Sequence, residues 1–143
     1  MQVLLLFILC FLCSNVHAQK KKIILKNTTK KHKHAKKPVI KYGVASYYAE
    51  NFRGKKTSSG ETYQQETYTA ACNVLPLNTW IKVTNLHNDN TVIVKINDRL
   101  HPKNKRLVDL SKSAAIILDF ISEGITKVKI EVLKDFNPAE TTL

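Results

Sequence analysis

Asp98 is the residue of this chain best placed to do acid–base chemistry. It follows the β-branched run at residues 92–96 and is set beside the guanidinium of Arg99. The end of a strand fixes the backbone and so aims a side chain into a cleft. A turn aspartate satisfied by Arg99 or by backbone N–H groups has the same local sequence. Our hypothesis is that Asp98 is a general acid or base, because a carboxyl group can deliver a proton to a leaving group and take it back.

Glu61 follows a loop at residues 51–60 that is rich in glycine, lysine and serine. Loops of this composition lie on the surface and often carry function. Taken alone, Glu61 is also explained as a loop carboxylate paired with Lys55 or Lys56. The loop therefore offers a second carboxylate whose role depends on its place in the fold.

The cysteines predict a fold without an internal disulfide. Cys10 and Cys13 lie in the apolar N-terminal segment and follow bulky leucines, which argues against lipid attachment. This leaves Cys72 alone in the remainder of the chain. A free thiol with a pKa of about 8.5 donates a proton weakly, and no Cys/His pair is visible. We interpret Cys72 as a small, partly buried packing residue.

The N-terminus is typical of a secretory signal. Residues 3–12 are apolar, and Val16 and Ala18 are small residues suited to cleavage after position 18. A transmembrane helix needs about 20 apolar residues, and Ser14 interrupts this run too early. The prediction is a signal peptide over residues 1–18 and export to the periplasm or cell envelope.

The positive charge is concentrated in one arm. The chain has a net charge of +12, yet residues 19–41 hold ten lysines and no acidic residue, whereas residues 42–143 carry thirteen basic and eleven acidic residues. Such a segment is normally a disordered linker. The lysines between Lys20 and Lys41 predict attraction to an anionic wall polymer or membrane surface. We expect no nucleic-acid partner, because an exported chain rarely meets one.

Beyond residue 41 the patterning indicates mainly β-structure. Strand-like runs occupy residues 42–48, 67–71, 80–85, 91–96, 106–110 and 126–133. Asn88, Asp89 and Asn90 predict a hairpin turn. Ser111 predicts the start of one helix that ends at Gly124. The apolar face of that helix is Ala114, Ala115, Ile117, Leu118 and Ile121. Short strands with one helix favour a small β-barrel, followed by a disordered tail at residues 134–143.

Seven motifs occur in an order that resembles one family. They are Gly43-Val44-Ala45-Ser46-Tyr47-Tyr48, Thr57-Ser58-Ser59-Gly60-Glu61, Thr69-Ala70-Ala71, Leu75-Pro76-Leu77-Asn78-Thr79, Val83-Thr84-Asn85, Asn97-Asp98-Arg99 and Val108-Asp109-Leu110-Ser111. Over residues 42–133 the chain resembles the rare lipoprotein A (RlpA) family of septal-ring lytic transglycosylases. The resemblance implies a mainly β fold, a six-stranded double-psi β-barrel of the RlpA/expansin type with one short helix. It also implies cleavage of peptidoglycan glycan strands that are poor in stem peptides.

The resemblance also implies a catalytic set. The Glu, His and Asp of the family groove match Glu61, Cys72 and Asp98, so the chain departs from the family at Cys72. A protonated Asp98 near neutral pH needs a raised pKa, through burial or through Glu61, and an Arg99 side chain that points away or binds substrate. We interpret Asp109 as structural.

Five further residues are predicted to bind substrate. Tyr47, Tyr48 and Tyr63 offer rings for stacking on sugars, with at least one of them expected in the core, and Asn97 and Arg99 flank Asp98. No metal or other cofactor is implied, and we expect a monomer. Longer family members carry a C-terminal glycan-binding repeat domain, which we do not expect here. Two alternatives stay open: an expansin-like module that binds glycan without cutting it, and a basic structural protein of the envelope.

Overall fold

Six strands close into a barrel in the computed structural model, which describes residues 37–140. They are β1 (Ile40–Tyr47), β2 (Thr69–Ala71), β3 (Trp80–Asn85), β4 (Thr91–Asp98), β5 (Val108–Leu110) and β6 (Ile125–Leu133). Their order around the barrel is β1-β5-β2-β4-β3-β6. The pairs β1/β5 and β2/β4 are parallel, and the other pairs are antiparallel. The predicted six-stranded barrel is confirmed. The predicted signal peptide and most of the predicted arm lie outside the described residues.

The β3–β4 hairpin follows directly from the local sequence. Ile81 and Val83 alternate with outward residues on β3, as Val92 and Val94 do on β4. The turn between the strands places Asp89 at φ 61°, a conformation that aspartate tolerates better than most residues. The inward side chains pack with those of the other strands to fill the barrel.

Gly43 marks a close approach between β1 and the segment entering β5. A Cβ atom added at Gly43 would lie 2.6 Å from the Cβ of Leu107, which is shorter than any normal contact. Only glycine lets the two backbones come this close.

Two predicted boundaries move in the structure. Lys41 lies inside β1, whereas we predicted that the arm extends to it. The helix α1 (Lys112–Ile117) starts after Ser111 as predicted, but it ends seven residues before Gly124. Ile117 is exposed, so its prediction as a core-facing residue is wrong.

The tail after β6 begins as ordered structure. We predicted disorder over residues 134–143, but the ring of Phe136 packs on Trp80 with centroids 5.1 Å apart. A 3₁₀ turn follows at Pro138–Glu140. Within residues 37–140, no helix has the length and apolar character needed to span a membrane.

Candidate functional site

Asp98 ends β4, and four donors hold its carboxylate. Oδ1 accepts hydrogen bonds from the backbone N–H of Ser58 at 2.8 Å, from the Ser58 hydroxyl at 2.6 Å and from the Arg99 N–H at 2.8 Å. Oδ2 accepts from the Tyr48 hydroxyl at 2.8 Å. The register of β2 against β4 shifts beside Ala71, opposite Asp98. Such irregularities commonly re-aim a side chain at the end of a strand.

These donors lower the pKa of Asp98 below its ordinary value of 3.8. Burial is the largest single influence and raises the pKa, but hydrogen bonds from Ser58, Tyr48 and Arg99 favour the carboxylate and together outweigh it. The raised pKa that a protonated Asp98 would need near neutral pH is therefore absent. In the free protein Asp98 is ionised at neutral pH, so it is ready to accept a proton.

Tyr48 is the hydroxyl donor of this cluster. Its ring packs against Tyr63 and Phe52, with centroid distances of 4.5 Å and 5.4 Å. Burial and the hydrogen bond to Asp98 raise the pKa of Tyr48. The hydroxyl therefore stays protonated and remains a donor to Asp98.

The other two tyrosines differ in exposure: Tyr63 is buried, whereas Tyr47 is half-buried and lines the same cleft as Asp98. Tyr63 is 3% exposed, and burial raises its pKa to about 12. Tyr47 packs edge-on against Phe120, and its hydroxyl donates to the carbonyl of Ile121 at 3.1 Å. Tyr63 is therefore the tyrosine expected in the core and does not stack on a sugar, whereas sugar stacking by Tyr47 stays a prediction.

Arg99 points away from the Asp98 carboxylate. Its Nη1 donates to the carbonyl oxygen of Cys72 at 2.5 Å, and lies 3.4 Å from the main-chain oxygen of Asp98. The Cys72 N–H in turn donates to that Asp98 oxygen at 3.1 Å. The Arg99 guanidinium thus contacts main-chain oxygens at the end of β4. It does not form a bidentate ion pair with the Asp98 carboxylate.

Cys72 has a fully buried side chain. We predicted a partly buried packing residue, and the structure places the thiol in the apolar core. The catalytic position taken from the family histidine therefore presents no thiol to substrate in this chain.

Glu61 is held by a strand residue. Lys95 Nζ lies 2.6 Å from Oε1, and the Asn97 amide donates to Oε2 at 2.9 Å. The hydrogen bond from Lys95 first, and then that from Asn97, lowers the pKa of Glu61. The alternative of a loop carboxylate paired with Lys55 or Lys56 is not what the structure shows, because Lys95 reaches Glu61 from β4.

Asn97 supports Glu61. Its side chain is 3% exposed, and its amide nitrogen is committed to Glu61. Its main-chain oxygen accepts from the N–H of Ser59 at 3.0 Å, which pins the loop to β4. Asn97 therefore positions Glu61, and its predicted substrate-binding role stays a prediction.

Ser58 and Asp109 are among the residues of the site that sequence reasoning missed. Ser58 supplies two of the donors to Asp98, and its membership of the motif Thr57-Ser58-Ser59-Gly60-Glu61 was the available signal. Asp109, which we interpreted as structural, lines the same cleft as Asp98. Ala71 pairs with both Asp98 and Asp109, so the two aspartates flank β2. No sequence pattern reveals that pairing.

The cleft has a volume of about 370 Å³ and carries both signs of charge. Its polar lining includes Tyr48, Asp98, Arg99, His101, Arg106 and Asp109. Asp109 forms an ion pair with Arg106, whose Nε lies 3.0 Å from Oδ1. Asp98, in contrast, is held by hydroxyl and backbone N–H donors among the described residues, and not by a cationic side chain. This arrangement suits a polyhydroxylated ligand, with one ionised carboxylate positioned to exchange protons.

Solved structures assign the barrel to the double-psi class. The apo expansin of Clavibacter michiganensis superposes with a TM-score of 0.58 and 19% identity, over 69% of this chain and 52% of that one. The Streptomyces papain inhibitor superposes with a TM-score of 0.55 and 18% identity, over 67% and 96%. At these identities the likeness concerns the fold alone.

Sequence comparison then gives the family. A family model described as lytic transglycolase matches residues 40–130. The endolytic peptidoglycan transglycosylase RlpA of Campylobacter jejuni is 52% identical over 91 residues, which are 64% of this chain and 33% of that protein. RlpA of Haemophilus influenzae is 51% identical over 106 residues, or 74% and 37%. The chain belongs to the RlpA family, and it spans about a third of the length of these curated relatives.

Proposed function

We propose that this chain is an endolytic peptidoglycan lytic transglycosylase. It cleaves the bond between MurNAc and GlcNAc in peptide-poor glycan strands and leaves 1,6-anhydroMurNAc ends. The observation that carries the proposal is the ionised Asp98 carboxylate, fixed by four donors at the end of β4 in an open cleft. Family membership supports the reaction class.

The two oxygens of Asp98 are not equivalent. Oδ1 accepts three hydrogen bonds, whereas Oδ2 accepts only that of Tyr48 among the described contacts. A carboxylate oxygen has two lone-pair sites, so Oδ2 has capacity for a substrate hydroxyl. Oδ2 is the atom to which we assign proton transfer.

The reaction needs one proton relay and no water. The C6 hydroxyl of the muramic acid attacks C1 and gives its proton to Asp98 Oδ2. The bond from C1 to the leaving oxygen breaks, and Asp98 returns the proton to that oxygen. The lowered pKa makes Asp98 a base first and an acid second, the reverse of the order that a raised pKa would favour.

Glu61 has a different task from Asp98. It is ionised and held by Lys95 and Asn97, so it offers acceptor oxygens to sugar hydroxyls and does not supply a second proton. Removing Glu61 should therefore raise KM more than it lowers kcat.

The test is product analysis on purified protein and peptide-free glycan strands. Mass spectrometry should detect 1,6-anhydroMurNAc ends with the unsubstituted chain, and Asp98→Asn should lower their rate of formation by roughly 10²- to 10⁴-fold. Asp89→Asn is the matched control, because Asp89 is an exposed turn residue whose positive φ asparagine also tolerates. Equal product from Asp98→Asn and Asp89→Asn would refute the assignment.

A second candidate function is an expansin-like module that binds glycan without cutting it. The observation that favours it is Cys72, whose buried thiol stands where the family has a histidine. A D78N variant of the Clavibacter expansin has been crystallised with cellohexaose. Glycan retention in a pull-down without anhydro ends would select this function. Cys72→His is then the next variant to assay. Absence of retention would favour a structural envelope protein.

We also propose that the protein acts outside the cytoplasm, in the periplasm or cell envelope, as a monomer. The apolar residues 3–12 support export, and the lysines between Lys20 and Lys41 support contact with an anionic surface. N-terminal sequencing of the protein from the envelope fraction should begin at Gln19. A mature protein that retains Met1 would refute export by a cleaved signal.

A further inference from the structure

A second cleft, of about 610 Å³, lies against the outer face of β3 and β4. We call it the aromatic cleft, and its main walls are Tyr68, Trp80, Ile93, Lys95, Phe136 and Pro138. None of the site residues predicted from the sequence lies in it. Exposed concave surfaces lined by aromatic rings, as this cleft is, commonly bind a ligand.

The barrel fixes Trp80 and the backbone of Tyr68, whereas Phe136 comes from the segment after β6 and packs on Trp80. Lys95 pairs with Thr69 on one neighbouring strand and with Trp80 on the other. The N–H of Lys95 also donates to the carbonyl of Tyr68 at 3.0 Å, which anchors the backbone of Tyr68. Tyr68 nevertheless remains 47% exposed. The cleft is therefore a pre-formed platform with one aromatic side chain left open to solvent.

Lys95 links the aromatic cleft to Glu61 of the candidate active site. The side chain of Lys95 forms a wall of the cleft and binds Glu61. Along β4, Lys95 stands three residues before Asp98, a separation of about 10 Å for an extended strand. The aromatic cleft therefore lies beside Glu61, in the direction of a polymer that extends from Asp98 past Glu61.

We infer that the aromatic cleft binds a sugar ring of the glycan strand, away from the cleaved bond. A pyranose has an apolar C–H face that packs on aromatic rings and hydroxyls at its edge that need polar partners. Here the rings are those of Tyr68 and Trp80, and the polar edge is supplied by Lys95 and by Thr67 and Thr69. The inference rests on the proposed function only for the identity of the ligand.

The test is the affinity of the purified protein for peptide-free glycan strands of graded length. Tyr68→Ala should weaken binding of long strands by roughly three- to tenfold, the value of one aromatic contact. Tyr68→Phe should retain affinity, because it keeps the ring. Tyr42→Ala is the matched control, since Tyr42 is a tyrosine of β1 with 67% exposure and lies in neither cleft. The shortest strands, which fill only the Asp98 cleft, should bind Tyr68→Ala and the unsubstituted chain equally.

Two readouts keep this inference separate from the proposed function. Anhydro ends with affinity that is independent of Tyr68 would overturn the sugar site and leave the transglycosylase assignment intact. Tyr68-dependent binding without anhydro ends would support the sugar site and overturn the transglycosylase assignment. A loss of affinity of equal size at every strand length would overturn the sugar site, because it would place Tyr68 at the cleavage point or in the general fold.

Discussion

Replacing Tyr48 by phenylalanine removes the one hydroxyl that donates to Asp98 Oδ2 and keeps the ring between Phe52 and Tyr63. A hydrogen bond to a charged group contributes roughly 1.5–3 kcal/mol to stability. Asp98 is only half-buried, so solvent screening reduces the expected loss to about 1 kcal/mol at pH 7. In a domain of this size that loss lowers Tm by about 4–8 °C.

The pH dependence of this loss has a defined sign. The folded-state pKa of Asp98 is lowered, so its stabilisation is fully present above the ordinary value of 3.8 and disappears as the pH falls through the folded value. The Tyr48→Phe variant should therefore differ from the unsubstituted chain at pH 7 and converge with it in acid, as the pH falls through the folded-state pKa of Asp98. The same change raises the pKa of Asp98, so the acidic limb of the pH–rate profile should move to higher pH.

Urea unfolding across this pH range measures the effect, in a double-mutant cycle with Asp98→Asn. A coupling free energy near 1 kcal/mol at pH 7 that fades in acid is the expected result. Tyr42→Phe is the control for loss of an exposed hydroxyl. A Tyr48→Phe loss of the same size at both ends of the pH range would refute the reasoning, since it would show that the hydroxyl does not act through the carboxylate.

Three further predictions concern packing and charge. Cys72 is fully buried, so a thiol reagent should label it in the native protein only as fast as the barrel opens, and immediately in denaturant. Gly43→Ala should destabilise the fold by roughly 1–3 kcal/mol in urea unfolding. Leu107→Ala should not rescue it, because the 2.6 Å clash is with the Leu107 Cβ that alanine keeps. Lys95→Met should raise the pKa of Glu61, measured by NMR titration, yet change stability by less than about 1 kcal/mol, because that ion pair is exposed.

The parts of the fold that sequence predicted well are those with local signals. The β3–β4 hairpin joins neighbouring segments through Asp89, so alternation and turn residues suffice to define it. The parallel pair β1/β5 joins segments about 60 residues apart and has no local signature. The end of α1 was missed because the apolar spacing continues past Ile117 after the helix has stopped.

The candidate site, like the fold, has parts with a local sequence signal and parts that depend on distant residues. Asp98 was recognisable because a strand pattern stops at a carboxylate. The ionisation state of Asp98 could not be predicted, because the donors to its carboxylate come from Ser58 and Tyr48, which lie 40 and 50 residues away in sequence. The sign of the pKa shift depends on those distant donors, which the sequence-based condition of burial or a neighbouring Glu61 did not include.

The ladder between β1 and β6 has a consequence for how the barrel forms. Ile40 pairs with Glu131 and Ser46 with Ile125. The main-chain hydrogen bonds along this edge of β1 therefore form only when β6 is present. Chain synthesis begins at the N-terminus, which leaves β1 without this partner until the whole segment is available. Such distant pairings slow folding because a long loop must close first. The barrel should therefore fold late and all at once, and truncation within β6 should leave an aggregation-prone chain instead of a partial barrel.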